Sequence, residues 1–357
     1  MRLFQNNGLS RGFRSWYYAE QDKEQSFAAQ LDRFSATRFS ALHILKPVLD
    51  GDIDAFYTNG DDEILQFGWA RENGVKSEIL DDILLAQIEH HRAEVFYNLD
   101  PMRFPSDFIR RLPGCVKRTL CWRAAPSGNL DLRSYDLVIC NFLSILDDWR
   151  SRGCQVAYFA PAVDPRMADY AERRGNELDL IFFGGYSRHH SKRARMLEAA
   201  ASVPGIKARF HLEQSRLTRL ANALPFVPLL RSHSYPPSIR SIRSEPLYGM
   251  HVYGALAKAR TVLNGAIDMA GEDRGNMRCF ETLGCGAVLL TDAGRYPDGF
   301  IDGQTMITYR SEDQLKEMIT RITRDPDWAA SIADAGLAMV RDIYSKDAQW
   351  TKFKSLL

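Results

Sequence analysis

The chain has 357 residues, 45% of them hydrophobic and 25% charged, which is ordinary globular material and enough for two cores, since a single core stops growing near ~250–300 residues. A net charge of +1 excludes the bulk basic field of a nucleic-acid binder, and no apolar run approaches the ~18 residues of a membrane-spanning helix. Six cysteines without a C-x-x-C pair read as buried thiols in a reducing compartment rather than a zinc site, so a cytoplasmic protein is expected.

Periodicity predicts alternating strands and helices. Met1–Phe4 reads as a first strand, followed by a loop from Asn6 through Gly8 to Gly12, and then helical patterning from Ala19 to Leu49. Ala55–Tyr57 is strand-like, Lys76–Arg92 is helical, and the runs Val95–Tyr97, Thr119–Trp122, Leu137–Cys140 and Val156–Phe159 are short and apolar. Such runs suit a parallel sheet buried on both faces. Pro161–Asp179, with two prolines and a charged run, fits a linker or hinge. The rhythm then restarts with Leu180–Phe183, the turn Gly184-Gly185, a helix from Arg188 to Ala201, further strands at Val262–Asn264 and Ala287–Leu290, and a mostly helical end from Glu312, broken at Asp325-Pro326-Asp327. Two βα-alternating halves predict two doubly wound, Rossmann-like α/β domains, 1–165 and 166–340, facing across a cleft lined by strand-end loops.

The run Gly271–Asp292, "GEDRGNMRCFETLGCGAVLLTD", is the most informative. Asn276 stands where a helix N-cap is expected, and a helix N-terminus offers free N–H groups to a phosphate. Glu281 lies too far along to cap. As a carboxylate it can hold two neighbouring hydroxyls, or it is simply a solvated helix residue. The run resembles the group-1 glycosyltransferases of the GT-B fold, in which an acid is followed by seven residues, a glutamate, a small-residue break and an apolar strand; here these are Asp273, Glu281, Gly284-Cys285-Gly286 and Ala287–Leu290. Asn276, Arg278, Phe280 and Glu281 further resemble the core of the spore-maturation-type branch.

The resemblance implies that Glu281 holds the ribose of a nucleotide-sugar donor, and that Asp273, one methylene shorter than the usual glutamate, lies near the donor sugar. In "LIFFGGYSRHHSKRARMLEAA" it implies that Arg188 and Arg193, with Lys192 as an alternative, hold the donor diphosphate; cations at a helix start are otherwise disfavoured by the dipole. Tyr248 and Gly249 match a loop near the nucleobase. The likeness covers roughly 179–345 and implies a metal-independent, retaining transfer with no cofactor, onto a glycan, lipid-linked or protein acceptor held mainly by the N-terminal domain. It also implies that the tail, 341–357, with Trp350 and Phe353, packs on that domain.

In the N-terminal half, the resemblance implies that the loop after the first strand faces the donor; Gly8 there allows close backbone approach to a phosphate or sugar, or is a plain βα turn. Asp100, at a strand end, is a candidate general base of an inverting enzyme or the cap of the Pro101 turn. Asp61-Asp62 is a further candidate with the same alternative, and His43 reads as a packed helix residue. Asp50-Gly51-Asp52-Ile53-Asp54 invites a metal reading, but an EF-hand needs glycine where Ala55 stands. The basic, apolar segment 215–243 is a possible peripheral membrane contact at the inner membrane face, or a solvated loop. A nucleotide-sugar 2-epimerase and a non-catalytic nucleotide-sugar-binding scaffold are the rival readings. A dinucleotide-dependent dehydrogenase is disfavoured, because no G-x-G-x-x-G follows the first strand.

Overall fold

The computed structural model describes residues 1–19, 25–186, 191–214, 216–223, 227, 234–265 and 270–357. Among them are twelve strands in two six-stranded sheets, and each registered strand pair is parallel. Both sheets need cover on both faces, and the helices between strands supply it. The chain divides into two compact units.

The first unit comprises Met1–Ala162 with a short return at Asp273 and the tail Lys346–Leu357. Its strands are β1 (Leu3–Asn7), β2 (Ala55–Asn59), β3 (Val95–Asn98), β4 (Arg118–Trp122), β5 (Leu137–Cys140) and β6 (Val156–Tyr158), in the order β2-β1-β3-β4-β5-β6. Phe4, Phe96, Phe104, Phe108 and Trp149 pack in one core layer, and Leu3, Tyr97, Leu120, Ile139 and Phe353 in another. Phe353 comes from the tail helix Lys346–Lys354, its ring 5.0 Å from that of Tyr97. At the start of that helix, buried Lys346 gives its ammonium to the carbonyls of Ala41, Leu42 and Ile44.

The second unit holds the rest of the chain from Val163 to Ser345. Its strands are β7 (Leu178–Gly185), β8 (Ala208–Glu213), β9 (Arg243–Ser244), β10 (Ala259–Leu263), β11 (Val288–Asp292) and β12 (Ile307–Tyr309), in the order β12-β11-β10-β7-β8-β9. Leu180, Phe182, Phe210, Leu263, Val288 and Leu290 are central to its core.

Several expectations need correction. β1 runs on through Asn6 and Asn7, which are buried strand residues and not a loop. Asn6 is held there because its amide donates to Asn98 Oδ1 at 2.8 Å while its Oδ1 accepts from Gly60 N at 2.8 Å. The helical stretch before β2 breaks into Arg11–Tyr17, Phe27–Thr37 and Lys46–Leu49, with Arg38 and Ser40 at positive φ closing the middle piece. His43 therefore sits in a turn and not a helix; its half-buried ring lies 4.5 Å from that of Trp122, and desolvation there, with Lys346 nearby, pulls its pKa down to about 3. Most of Pro161–Asp179 is no linker. Met167 is buried, Asp164 Oδ2 accepts from Tyr253 at 3.3 Å, and Gly284 leaves room for the Met167 sulfur, all within the second unit. The acids after Leu49 serve turns: Asp50 pairs with Lys46, and Asp52 Oδ1 accepts from Asp54 N at 3.0 Å. Five of the six cysteines are buried and all six are free thiols.

Each strand order contains a reversal. In the first sheet the chain leaves β1 for β2 on one side and returns to β3 on the other; in the second it leaves β7 for β8 and returns to β10. A parallel α/β sheet binds ligands beyond the carboxyl ends of the strands at such a reversal, where the loops diverge and open a crevice. The geometry thus nominates the loops after β1 and β3, and those after β7 and β10.

Candidate functional site

At the reversal of the second sheet, β7 ends in Phe183-Gly184-Gly185. Gly184 has φ +149°, a conformation that favours glycine, and a Cβ there would also press on the Phe182 ring. Arg193, on the helix Ser191–Ala201 that follows, reaches back over this end and donates Nη2 to Gly265 O at 2.7 Å, just past β10. Arg193 therefore joins the two loops that the topology nominates. Lys192 is exposed on the same helix, and Arg188 lies outside the described residues.

Asn264, at the end of β10, is a buried polar hub. Its amide donates to Thr291 Oγ1 at 3.2 Å, and its Oδ1 accepts from Asn276 Nδ2 at 3.2 Å. Asn276 occupies the N-cap position of the helix Met277–Gly284, as expected, yet its side chain makes no backbone capping hydrogen bond: its Nδ2 donates to Asn264 and its Oδ1 accepts from Cys279 Sγ at 3.7 Å. The first-turn N–H groups of that helix are consequently not taken by this side chain.

One turn along, Glu281 Oε2 lies 2.6 Å from Arg278 Nη1. Both are largely buried, with 15% and 22% of their side chains exposed. Burial holds the Glu281 carboxyl above the usual range, the Arg278 guanidinium opposes this, and nearby Asp164 adds to it. The guanidinium also stands 4.5 Å from the centroid of the Phe183 ring, and Phe183 stacks on His211 at 5.1 Å with an interplanar angle of 13°. His211 is fixed by a 2.6 Å contact between Nδ1 and Glu245 O. Tyr248, buried, has its phenol raised by that burial and by Glu213 at the end of β8. Gly249, at φ +55°, starts the helix Met250–Ala257. Glu281, Arg278 and the aromatic pair thus stand at the carboxyl ends of β7 and β8, with Tyr248 beside β8.

Asp273 groups with the first unit. Its Oδ2 accepts from both the backbone N and the hydroxyl of Ser144, at 2.6 and 2.7 Å, in the first unit. Ser144 is in the first turn of the helix Leu143–Ser151, whose own N-cap, Phe142, has no capping side chain. Asp273 supplies the missing acceptor, favoured by the helix dipole.

The first unit has its own cluster at the reversal. Gly8 follows β1, and a Cβ there would lie 2.8 Å from Asp100 Oδ2. Asp100 N donates to Asn98 Oδ1 at 2.9 Å, and its own carbonyl accepts from Phe104 N, so part of Asp100 does serve the turn. Burial raises the Asp100 carboxyl, against the pull of Arg103, Arg123 and Arg14. Asp61 accepts from Leu9 N and pairs with Arg14, while Asp62 accepts from Tyr18 Oη at 2.6 Å.

Sequence reasoning missed two buried features of the second unit. Arg274 Nε bonds Asp292 Oδ2 at 2.7 Å, and both side chains are under 10% exposed. This pair ties the approach to Met277–Gly284 to the end of β11. Asp164, 1% exposed, stands near Glu281. Arg274 lay inside the quoted run but fitted no motif position, and Asp164 between Val163 and Pro165 resembles any turn residue. A surface cavity of about 520 Å³ lined by Arg2, Glu94, Cys115 and Lys117 lies at the amino ends of β1, β3 and β4, away from both reversals. Among the described residues, no cluster of His, Cys, Asp and Glu suits a metal, and no helix is long and apolar enough to cross a membrane.

Residues 188–355 match the Glyco_trans_1_2 family, described as glycosyl transferase-like. No curated protein sequence matches the chain. Solved structures share its fold at low identity. Anabaena Alr3699/HepE in complex with UDP-glucose is 11% identical with a TM-score of 0.57, over 100% of this chain and 99% of that one. The sucrose-phosphate synthase of Thermosynechococcus elongatus is 12% identical with a TM-score of 0.56, over 100% and 98%. AviGT4, a glycosyltransferase involved in avilamycin A biosynthesis, is 10% identical with a TM-score of 0.57, over 99% and 96%. The shared architecture is two Rossmann-like domains, the GT-B fold.

Proposed function

We propose that this protein moves a sugar from a nucleotide-diphosphate sugar to a glycan, lipid-linked or protein acceptor, as a metal-independent, retaining enzyme of the spore-maturation-type branch. The observation that carries the reading is the group of Arg193, Asn276, Arg278 and Glu281 at the sheet reversal of the second unit, inside the segment that matches a glycosyl transferase-like family. Glu281 holds the ribose hydroxyls, sharing its carboxylate with Arg278. Phe183 and Tyr248 offer flat apolar surface for the base. Arg193, with Arg188, and the amide groups opening Met277–Gly284 hold the diphosphate.

The chemistry follows from that placement. As the bond to the sugar breaks, negative charge grows on the diphosphate, and fixed cations and N–H groups stabilise it without reorganising. The acceptor is held by the first unit, where Asp100 orients its hydroxyl; Gly8 lets the chain approach the donor sugar closely, and in a same-face, retaining transfer the departing phosphate oxygen takes the acceptor proton. UDP-sugars are the first donors to try, since UDP-glucose occupies a protein of the same fold. Isothermal titration with UDP, GDP, CDP, ADP and dTDP, followed by transfer assays with sugars of the nucleotide that binds, tests the proposal. Binding by none of them removes it.

One observation favours a second reading. The carboxylate of Asp273, which the resemblance puts near the donor sugar, is engaged by Ser144. A protein that binds the nucleotide sugar without turning it over fits that arrangement. Nucleotide binding with no transfer to any acceptor, and no donor hydrolysis, identifies it.

A further inference from the structure

At the reversal of the first sheet, three strand-end loops meet on carboxylates. Leu9 N donates to both oxygens of Asp61, at 3.1 and 3.2 Å. Arg14, from the helix Arg11–Tyr17, closes the tie, giving Nη2 to Asp61 Oδ2 at 2.6 Å and to Asp61 O at 2.9 Å. On the other side, Gly8 has no room for a Cβ because Asp100 Oδ2 stands 2.8 Å from where it would be. The loop after β1 is thus gripped between the acid that follows β2 and the acid that follows β3.

We propose that Asp61 is a positioning residue that sets the Gly8-Leu9 backbone against Asp100, and that this latch is made by its ionised carboxylate and slackens when the carboxylate takes a proton. It deepens the transferase reading, on which only its activity arm rests. Protonation removes the charge from the bonds to Leu9 N and Arg14, which weakens both.

Two observations separate this from an ordinary turn. The first is the setting. Burial opposes the Asp61 charge and, with Asp100 and Asp62 pushing the same way against Leu9 N–H and Arg14, lifts its pKa to about 6. A purely structural tie gains nothing from a carboxylate that its surroundings disfavour, whereas functional sites concentrate such groups. The second lies at the neighbouring strand ends. Asn59, the register partner of Asn7, is 1% exposed, and its amide Nδ2 has no hydrogen-bond partner among the described residues. Buried donors of this kind are rarely left unused.

The sign of the pH effect is fixed. A carboxyl whose folded pKa exceeds its unfolded value adds stability when protonated, fully below about pH 4, and loses it as pH rises through about 6. Asp61→Asn should therefore raise Tm at pH 7.5 by about 2–4 °C, with the gap closing at pH 5. The decisive measurement is amide NMR of the full chain between pH 4.5 and 8. The Leu9 N–H should titrate with a midpoint near 6 in the wild type, at lower pH in Asp100→Asn, and not at all in Asp61→Asn. With an active donor–acceptor pair, Asp61→Asn should lower acceptor kcat/KM by ~10–100-fold at pH 7.5 and leave nucleotide affinity unchanged. A Leu9 amide indifferent to pH, or one that titrates unchanged in Asp61→Asn, overturns the latch. Full acceptor turnover in the variant overturns its positioning role. Failure to bind any nucleotide sinks the transferase reading, and the Leu9 titration still decides the latch.

Discussion

The two sheets reverse in the same way yet dress their reversals differently. In the second unit, Arg193 spans the crevice onto a neutral carbonyl, and Arg278 lies between Glu281 and an aromatic face. In the first, half-buried Asp100 crowds Gly8 while half-buried Asp61 holds Leu9 N, and the pKa values of Asp61 and Asp100 are both raised. One topology therefore presents cations and amide groups at one site and poised acids at the other. The first set suits a diphosphate, the second a hydroxyl that must give up a proton. Strand order says where a ligand goes, and strand-end residues say which ligand.

The contrast can be broken from either side. The largest effect should come from Arg274→Ala, which removes the buried guanidinium bonded to Asp292 and should cost about 3–5 kcal/mol of stability. Denaturant unfolding measures this, and a loss below 1 kcal/mol means that water replaces the guanidinium. Gly8→Val comes next. Its Cβ must displace Asp100, and transfer should fall ~100-fold, about 2.7 kcal/mol, while nucleotide affinity stays level. A matching loss of nucleotide affinity would mean that Gly8 serves the nucleotide itself and not the transferred sugar. Smallest is Ser144→Ala. The hydroxyl bond to Asp273 is lost but the backbone bond remains, so stability should drop by about 0.5–1.5 kcal/mol with little change in turnover. A large fall in turnover would return Asp273 to the chemistry.

How far the sequence could be read follows the same contrast. The apolar strands β3, β5, β7, β10 and β11 were visible because parallel strands buried on both faces spell continuous hydrophobic runs. β8 was not, since Arg209, His211 and Glu213 interrupt its pattern, and β9 and β12 have only two and three residues. Glu281, Arg193 and Arg278 could be singled out because motif spacing along one helix or turn survives in a single chain. Arg274–Asp292 and Asp61–Leu9 are 18 and 52 residues apart, and spacing of that kind becomes meaningful only once strand order is known. Asn6 and Asn7 were misplaced in a loop because asparagine is a turn former by propensity. The Asn6–Asn98 bond, 92 residues apart in sequence, keeps the strand going.

The central claim is that the second unit's reversal is a nucleotide-diphosphate site with Glu281 at the ribose. It is tested most directly by titrating UDP, GDP, CDP, ADP and dTDP into the wild type and Glu281→Ala, following both heat and melting temperature. The account predicts that one nucleotide binds the wild type and that the substitution weakens it by ~10–100-fold, a loss of about 1.4–2.8 kcal/mol, without loss of the fold. Equal affinity in the two proteins, or no binding of any nucleotide to the wild type, would contradict it.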